Sequence, residues 1–218
     1  MLTNYCKKNS IKILLTAHNL EDQVETFLMR LSRGSGLKGL SSMKPVSMIN
    51  KQIILQRPLL DVKKNSLIKI SKKTFGKYIK DPSNNNSKYL RTKIRSLKKP
   101  LENSGIKYEQ IFRSINNLAL SKATLDEYLN RVFKKLIKKK KKLIFINFKE
   151  YLKLNYDIKM AVINESIKLI QKNYYDLRSK KVSNLIKNLN KKNFKKLTLG
   201  GCIFYKNGEN LCLKEENI

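Results

Sequence analysis

Only two runs in the first hundred residues read as buried strands: IKILLTA (11–17) and IILQRPLL (53–60). Each is a short continuous apolar stretch, the pattern of a strand in a parallel sheet covered on both faces. Two such strands alone cannot make that sheet. This part of the chain is therefore expected to be α/β, to expose apolar surface and to be marginal by itself. Between the runs lies an amphipathic helix. Leu20, Val24, Phe27, Leu28 and Leu31 recur at helical spacing, Asn19 stands at the cap position, and Glu21 and Asp22 suit the positive end of the dipole.

The rest of the chain reads as mainly helical. Residues 33–45 form a loop, and Asp61 is placed to cap a helix through about Lys73. KDPSNNNSKY (80–89) is turn-rich, and the helical stretch after it should break at Pro100. Apolar residues from Ile111 to Leu136 mark a long helix over about 108–139, ended by the lysine run 134–142, which reads as a solvated helix end or an RNA-facing patch. LIFINF (143–148) is a short strand or buried turn. Helices follow over roughly 158–174 and 180–192, and the Asn207-Gly208 step marks a terminal hairpin. A domain boundary is expected at 105/106.

Charge limits the partners. The 218 residues carry 48 Lys and Arg against 16 Asp and Glu, a net +32. A field of that sign attracts polyanions, nucleic acid first, although lysine drift onto solvated faces would give part of the same excess. Cys6, Cys202 and Cys212 are odd in number and unpaired in spacing, so they suggest neither disulfides nor zinc but small hydrophobes in a reducing cytoplasm. No apolar run reaches membrane-span length, so no membrane partner is expected.

Gly34, Gly36 and Gly39 spell G-x-G-x-x-G, but they follow a helix and enter a loop. A dinucleotide site needs a strand before and a helix after, so that reading fails. His18, Asp22 and Glu25 are spaced four and three apart, at the carboxyl end of the first strand, where open α/β sheets place ligands. A structural histidine and two capping acids would look the same.

The string TAHNLEDQVETFLMRLSRGSGLKGLSSM (16–43) resembles the second signature of the tRNA(Ile)-lysidine synthase family, part of the PP-loop ATP-pyrophosphatase group. RPLLDVKKNSLIKISKKTFGKYIKDPSNNNSKYLRTKIR (57–95) and LTLGGCIFYKNGENLCLKEE (197–216) are similar to later stretches of the same family. The resemblance implies a partial Rossmann-like, PP-loop type parallel-sheet domain, here the C-terminal part of it (1–105), followed by a mainly helical tRNA-contacting domain with a C-terminal β-hairpin (106–218). It implies a ligase: ATP adenylates the C2 oxygen of the wobble cytidine in the isoleucine tRNA with a CAU anticodon, free L-lysine attacks, and AMP leaves. ATP and Mg2+ are the implied cofactors, the cytoplasm the implied location, and a homodimer one expected assembly. By position, His18 and Asp22 line the nucleotide and base site, and Glu25 holds the incoming lysine amine. Arg91 is the first choice for contact with phosphate or activated base. Arg33 and Arg95 are substrate- or phosphate-binding, Arg95 as readily structural, while Asp81 and Asn84 shape their loop. No metal ligand is assigned.

One departure matters. The family's S-G-G-x-D-S loop, whose backbone N–H groups would hold pyrophosphate, occurs nowhere in the 218 residues. The chain is accordingly expected to begin inside the domain. The alternatives are one half of a split enzyme and a non-catalytic basic RNA-binding remnant. A related tRNA thiolase is disfavoured for want of paired cysteines.

Overall fold

A computed structural model describes residues 2–49, 52–79, 88–171, 177–191 and 194–216. Contacts divide the chain into two compact units, Met1–Ala123 and Thr124–Ile218.

The first unit opens with helix α1 (Leu2–Lys8), which buries Cys6, and strand β1 (Ile13–Leu15). Helix α2 (Leu20–Leu31) begins at a reciprocal cap: the Asn19 side chain accepts from Asp22 N–H, and the Asp22 carboxylate accepts from Asn19 N–H, each at 3.1 Å. A short helix α3 (Leu37–Leu40) lies within the expected loop. Strand β2 (Val46–Ile49) was not expected. It pairs antiparallel with β3 (Ile53–Gln56), which pairs parallel with β1, in the order β1-β3-β2.

Register places Ile13, Leu15, Val46 and Met48 on the sheet face shared by Ile54 and Gln56. All four are about half exposed or more. The apolar exposure expected of this part of the chain is present.

Helix α4 (Lys64–Phe75) starts three residues after Asp61. Its first N–H is satisfied instead by Glu21 of α2, whose carboxylate accepts from Lys64 N–H at 2.8 Å. Gly76 ends it at φ +68, the left-handed value glycine adopts without strain. Asp81 and Asn84 lie outside the described residues.

Helices α5 (Leu90–Ser96) and α6 (Lys98–Asn103) meet at Leu97, not at Pro100. Pro100 sits in the first turn of α6, where its missing N–H costs no intrahelical bond. Helix α7 (Tyr108–Leu136) follows, and the division between units falls inside it. Its first half packs Tyr108, Ile111, Phe112 and Ile115 against Leu20, Val24, Phe27 and Leu28 of α2. Leu31, expected on that face, is half exposed at the end of α2.

In the second unit the expected hairpin is the centre of a larger sheet. Strands β4 (Ile137–Lys140), β5 (Leu143–Asn147), β6 (Lys196–Leu199), β7 (Cys202–Asn207) and β8 (Asn210–Glu215) form an antiparallel sheet ordered β4-β5-β8-β7-β6. Asn207 pairs with Asn210 across a two-residue turn that starts at Gly208 with φ +58. The lysine run is a helix end only in part: Lys134 and Lys135 lie in the last turn of α7, but Ile137–Lys140 is an edge strand, anchored by partly buried Ile137. Exposed Lys138, Lys139 and Lys140 keep that edge from pairing further. Helices α8 (Phe148–Lys153), α9 (Tyr156–Ile170) and α10 (Ser179–Leu189) complete the core with Tyr151, Ile163, Ile167, Val182 and Ile186. The three cysteines are free and buried, as small hydrophobes. Burial pushes the Cys202 and Cys212 thiols up. Among the described residues no helix is long and apolar enough to cross a membrane.

Candidate functional site

Five sequence-nominated residues lie on two adjoining elements, the β1–α2 junction and α5. His18 follows β1 by three residues and is half-buried, its Nδ1 2.9 Å from the Thr16 hydroxyl. Asp22 is half-buried in the α2 cap just described, with one carboxylate oxygen committed to Asn19 N–H.

Glu25 is the centre of the arrangement. It is 2% exposed, a carboxylate on the inward face of α2. Burial of an anion is tolerated only with compensating charge and hydrogen bonds, and α5 supplies both. Arg91 and Arg95 are four apart on that helix, so they project from one face. Arg95 binds Glu25 as a fork, Nε to Oε1 at 2.7 Å and Nη2 to Oε2 at 3.0 Å. The hydrogen bond to Glu25 holds the Arg95 guanidinium pKa above its usual value, although partial burial works the other way.

Arg91 is placed differently. Its Nε lies 3.5 Å from Glu25 Oε2 and is buried without a hydrogen bond among the described residues, while Nη2 donates to the Thr26 hydroxyl at 3.3 Å. Its side chain is 42% exposed. The pair thus divides: Arg95 donates to both oxygens of the carboxylate, and Arg91 is held by one side while part of its guanidinium meets solvent.

Tyr108 closes the buried side of this cluster. It is 2% exposed, its hydroxyl finds no hydrogen-bond partner among the described residues, and burial pushes its pKa up to about 12. The Lys98 ammonium stands 5.0 Å from the Tyr108 ring centre and 3.6 Å from Glu21 Oε1, linking α6, α7 and α2.

Arg33 is exposed on the loop after α2, and among the described residues its side chain makes no hydrogen bond or ion pair. The structure therefore joins Glu25, Arg91 and Arg95, gives His18 and Asp22 local partners, and leaves Arg33 outside that cluster.

Two residues that sequence reasoning missed build the glycine loop. Arg30 Nη1 donates to the carbonyls of Gly39 at 2.7 Å and Ser42 at 3.0 Å. Gln23, 4% exposed, donates to Met43 C=O at 2.8 Å and accepts from Met43 N–H at 2.9 Å. They are seven residues apart, hence on one helix face, and a glutamine on the buried stripe was the readable signal. A Cβ added at Gly39 would come within 2.7 Å of Ser35 Cβ, so packing within the loop requires the third glycine.

Among the described residues no three His, Cys, Asp or Glu side chains converge as a metal site. The cluster can do two things chemically: present a half-solvated guanidinium to an anion, and hold a histidine and a carboxylate beside a strand end.

Residues 1–101 match the family described as the PP-loop domain. The whole chain aligns with the tRNA(Ile)-lysidine synthase of Wolbachia pipientis wMel, 35% identical over 219 residues and covering 51% of that protein. The protein of the same name from Orientia tsutsugamushi (strain Boryong) is 46% identical over 101 residues, 46% of this chain and 22% of its own length. That of Francisella philomiragia is 34% identical over 185 residues, 83% of this chain and 44% of its own. The chain spans about half the length of the relatives it matches end to end.

Proposed function

We propose that the chain, which is similar over its whole length to proteins named tRNA(Ile)-lysidine synthase, serves the ATP-dependent joining of free lysine to C2 of the wobble cytidine in the CAU-anticodon isoleucine tRNA. The observation that carries this reading is the alignment of all 218 residues with a relative of that name. The reaction has two steps. The C2 oxygen attacks the α-phosphorus of ATP and expels pyrophosphate. The lysine amine then attacks C2, the C2–O bond breaks, and AMP leaves with the electron pair.

The first step builds negative charge on phosphate, and a fixed cation lowers that barrier. Arg91 has the exposure to supply it. Glu25 and Arg95 are positioning residues: their buried fork ties α5 to α2 and so sets the reach of Arg91. An incoming lysine ammonium would have to displace a guanidinium from a carboxylate that is 2% exposed. His18 and Asp22, at the strand end, are the groups left to face the base and the amine. Arg33, on its exposed loop, faces the tRNA or its phosphates. Mg2+, arriving with ATP phosphates, needs only one or two protein carboxylates, and Asp22 fits that modest requirement. The reaction belongs to the cytoplasm, where tRNA, lysine and ATP meet.

The test incubates the chain with ATP, radiolabelled lysine and a transcript of that tRNA. Label in the tRNA, with pyrophosphate and AMP formed in step, supports the reading. Tight tRNA binding with no pyrophosphate release overturns it and leaves a non-catalytic RNA-binding protein.

A further inference from the structure

The second unit carries a cavity that the proposed chemistry does not use. It has a volume of about 410 Å3 and lies where α8, the end of α10 and the β7–β8 turn come together. Such a volume is in the range of small-ligand pockets, about 300–1,000 Å3. Its floor is apolar. Phe194, half-buried, meets the buried Phe148 edge to face, with ring centres 5.8 Å apart and planes at 71°, and Leu152 adds a side chain that is 40% exposed. Its wall is fixed to the sheet: Phe148 N–H donates to Glu209 C=O at 3.0 Å across the turn.

The rim is cationic. Lys149, Lys191 and Lys206 all line the cavity and are exposed, and none is in an ion pair among the described residues. Glu209 is the only acid among the lining residues. An aromatic floor under unpaired lysines suits a ligand with a flat apolar face and negative charge beside it. That is a nucleotide within a strand: the base is the flat face, and the phosphates on either side meet the lysines. Single-stranded RNA is recognised by this combination, bases laid on aromatic rings with cations along the backbone. Duplex RNA hides its base faces and would offer the lysines phosphates only.

We propose that the Phe148–Phe194 cavity takes one unstacked base of a single-stranded segment of RNA, with Lys149, Lys191 and Lys206 holding the flanking phosphates. The proposal rests on the tRNA reading only for the choice of RNA as polymer, and its geometry is independent of the Glu25 cluster.

The full chain is titrated with a short single-stranded RNA carrying one 2-aminopurine, whose fluorescence is quenched on stacking; the chain has no Trp to compete with that signal. Stacking of the base is expected to quench it, and Phe194→Leu, which keeps the cavity filled but removes the ring, is expected to abolish the quench and weaken binding about ten-fold. Lys206→Glu is expected to weaken binding and flatten its salt dependence, while Lys180→Glu, an exposed charge on α10 outside the cavity, has a smaller effect. Circular dichroism confirms that the variants fold.

Equal losses for Lys206→Glu and Lys180→Glu, or a quench untouched by Phe194→Leu, would overturn the pocket while leaving tRNA binding and lysine transfer standing. So would equal affinity for a duplex of the same length. Saturation by free AMP at the strand's own affinity would reassign the cavity to a mononucleotide. Failure of the parent chain to bind any RNA would sink this proposal and the tRNA reading together.

Discussion

Replacing Glu25 by Gln tests whether that carboxylate is a structural anchor or a free group awaiting an amine. In the folded chain it is 2% exposed and accepts two charge-assisted bonds from Arg95, with Arg91 Nε 3.5 Å away. Glutamine can accept only one of the two bonds, and its NH2 faces a guanidinium donor. Breaking a buried ion pair from one side costs about 3–5 kcal/mol. Here the side left unpaired is partly wet, since Arg95 and Arg91 are 30% and 42% exposed. Water can rehydrate both guanidinium groups, so the expected loss falls to about 2–3 kcal/mol.

Arg95→Met is the harsher change, because it strands a carboxylate that water cannot reach; about 3–5 kcal/mol is expected. Removing both partners should cost less than the sum of the singles by at least about 1 kcal/mol, as for groups in direct contact. Urea denaturation gives the totals, and hydrogen exchange at α2 and α5 amides locates the loss in the first unit. A Glu25→Gln chain within about 0.5 kcal/mol of the parent would refute the anchor, since that is the range of an ordinary surface substitution. Strict additivity of the two changes would refute it equally.

Arg91→Ala should cut pyrophosphate release about 100- to 1,000-fold, the usual effect of losing one transition-state donor, with tRNA affinity unchanged; a loss confined to tRNA affinity would make Arg91 an RNA-positioning residue. Asn19→Ala should cost about 1 kcal/mol by removing the α2 cap, read from the urea midpoint. Leu15→Lys, on the exposed sheet face, should shift stability by less than about 0.5 kcal/mol. Ile53→Ala, 1% exposed, should cost about 2–5 kcal/mol; equal effects would mean that the sheet face is covered in solution. Tyr108→Phe should be selectively protective in alkali. The folded phenol titrates near 12 against an ordinary 10.0, so above pH 10 the unfolded chain releases a proton that the folded chain keeps. Parent stability therefore falls relative to the variant, by up to about 1.4 kcal/mol per pH unit, and urea midpoints from pH 9 to 11 that track each other would refute it.

Much of the fold was legible because periodicity and local caps report directly on burial. The α2 stripe, the Asn19–Asp22 cap and the Asn207-Gly208 turn involve residues within a few positions of one another, and local geometry decides them. The lysine run was legible only in its first two residues, which do end α7, for an equally physical reason. Lys138 to Lys140 have no side-chain pattern that separates a helix end from a charged edge strand, and only pairing with Leu143–Ile146 decides between the two. Strand β2 escaped notice because its alternation, Val46 and Met48 against Ser47 and Ile49, places the apolar pair on the exposed face. Helix α4 escaped Asp61 because its N-terminal partner, Glu21, lies 43 residues away.

The site shows the same division. Residue types and spacing in the chain determined that an imidazole, two acids and an i, i+4 arginine pair would sit near strand and helix ends, and that the protein would be a strong cation. They also carried the family likeness. Only packing of α5 on α2 decided which charges meet: Glu25 and Arg95 are 70 residues apart, and no local preference selects that partner over Asp22 or Glu21. Burial made the choice, because a carboxylate driven into the core by its place on the apolar face of α2 must find guanidinium donors there. Arg91, one turn away, keeps part of its charge in water for another anion.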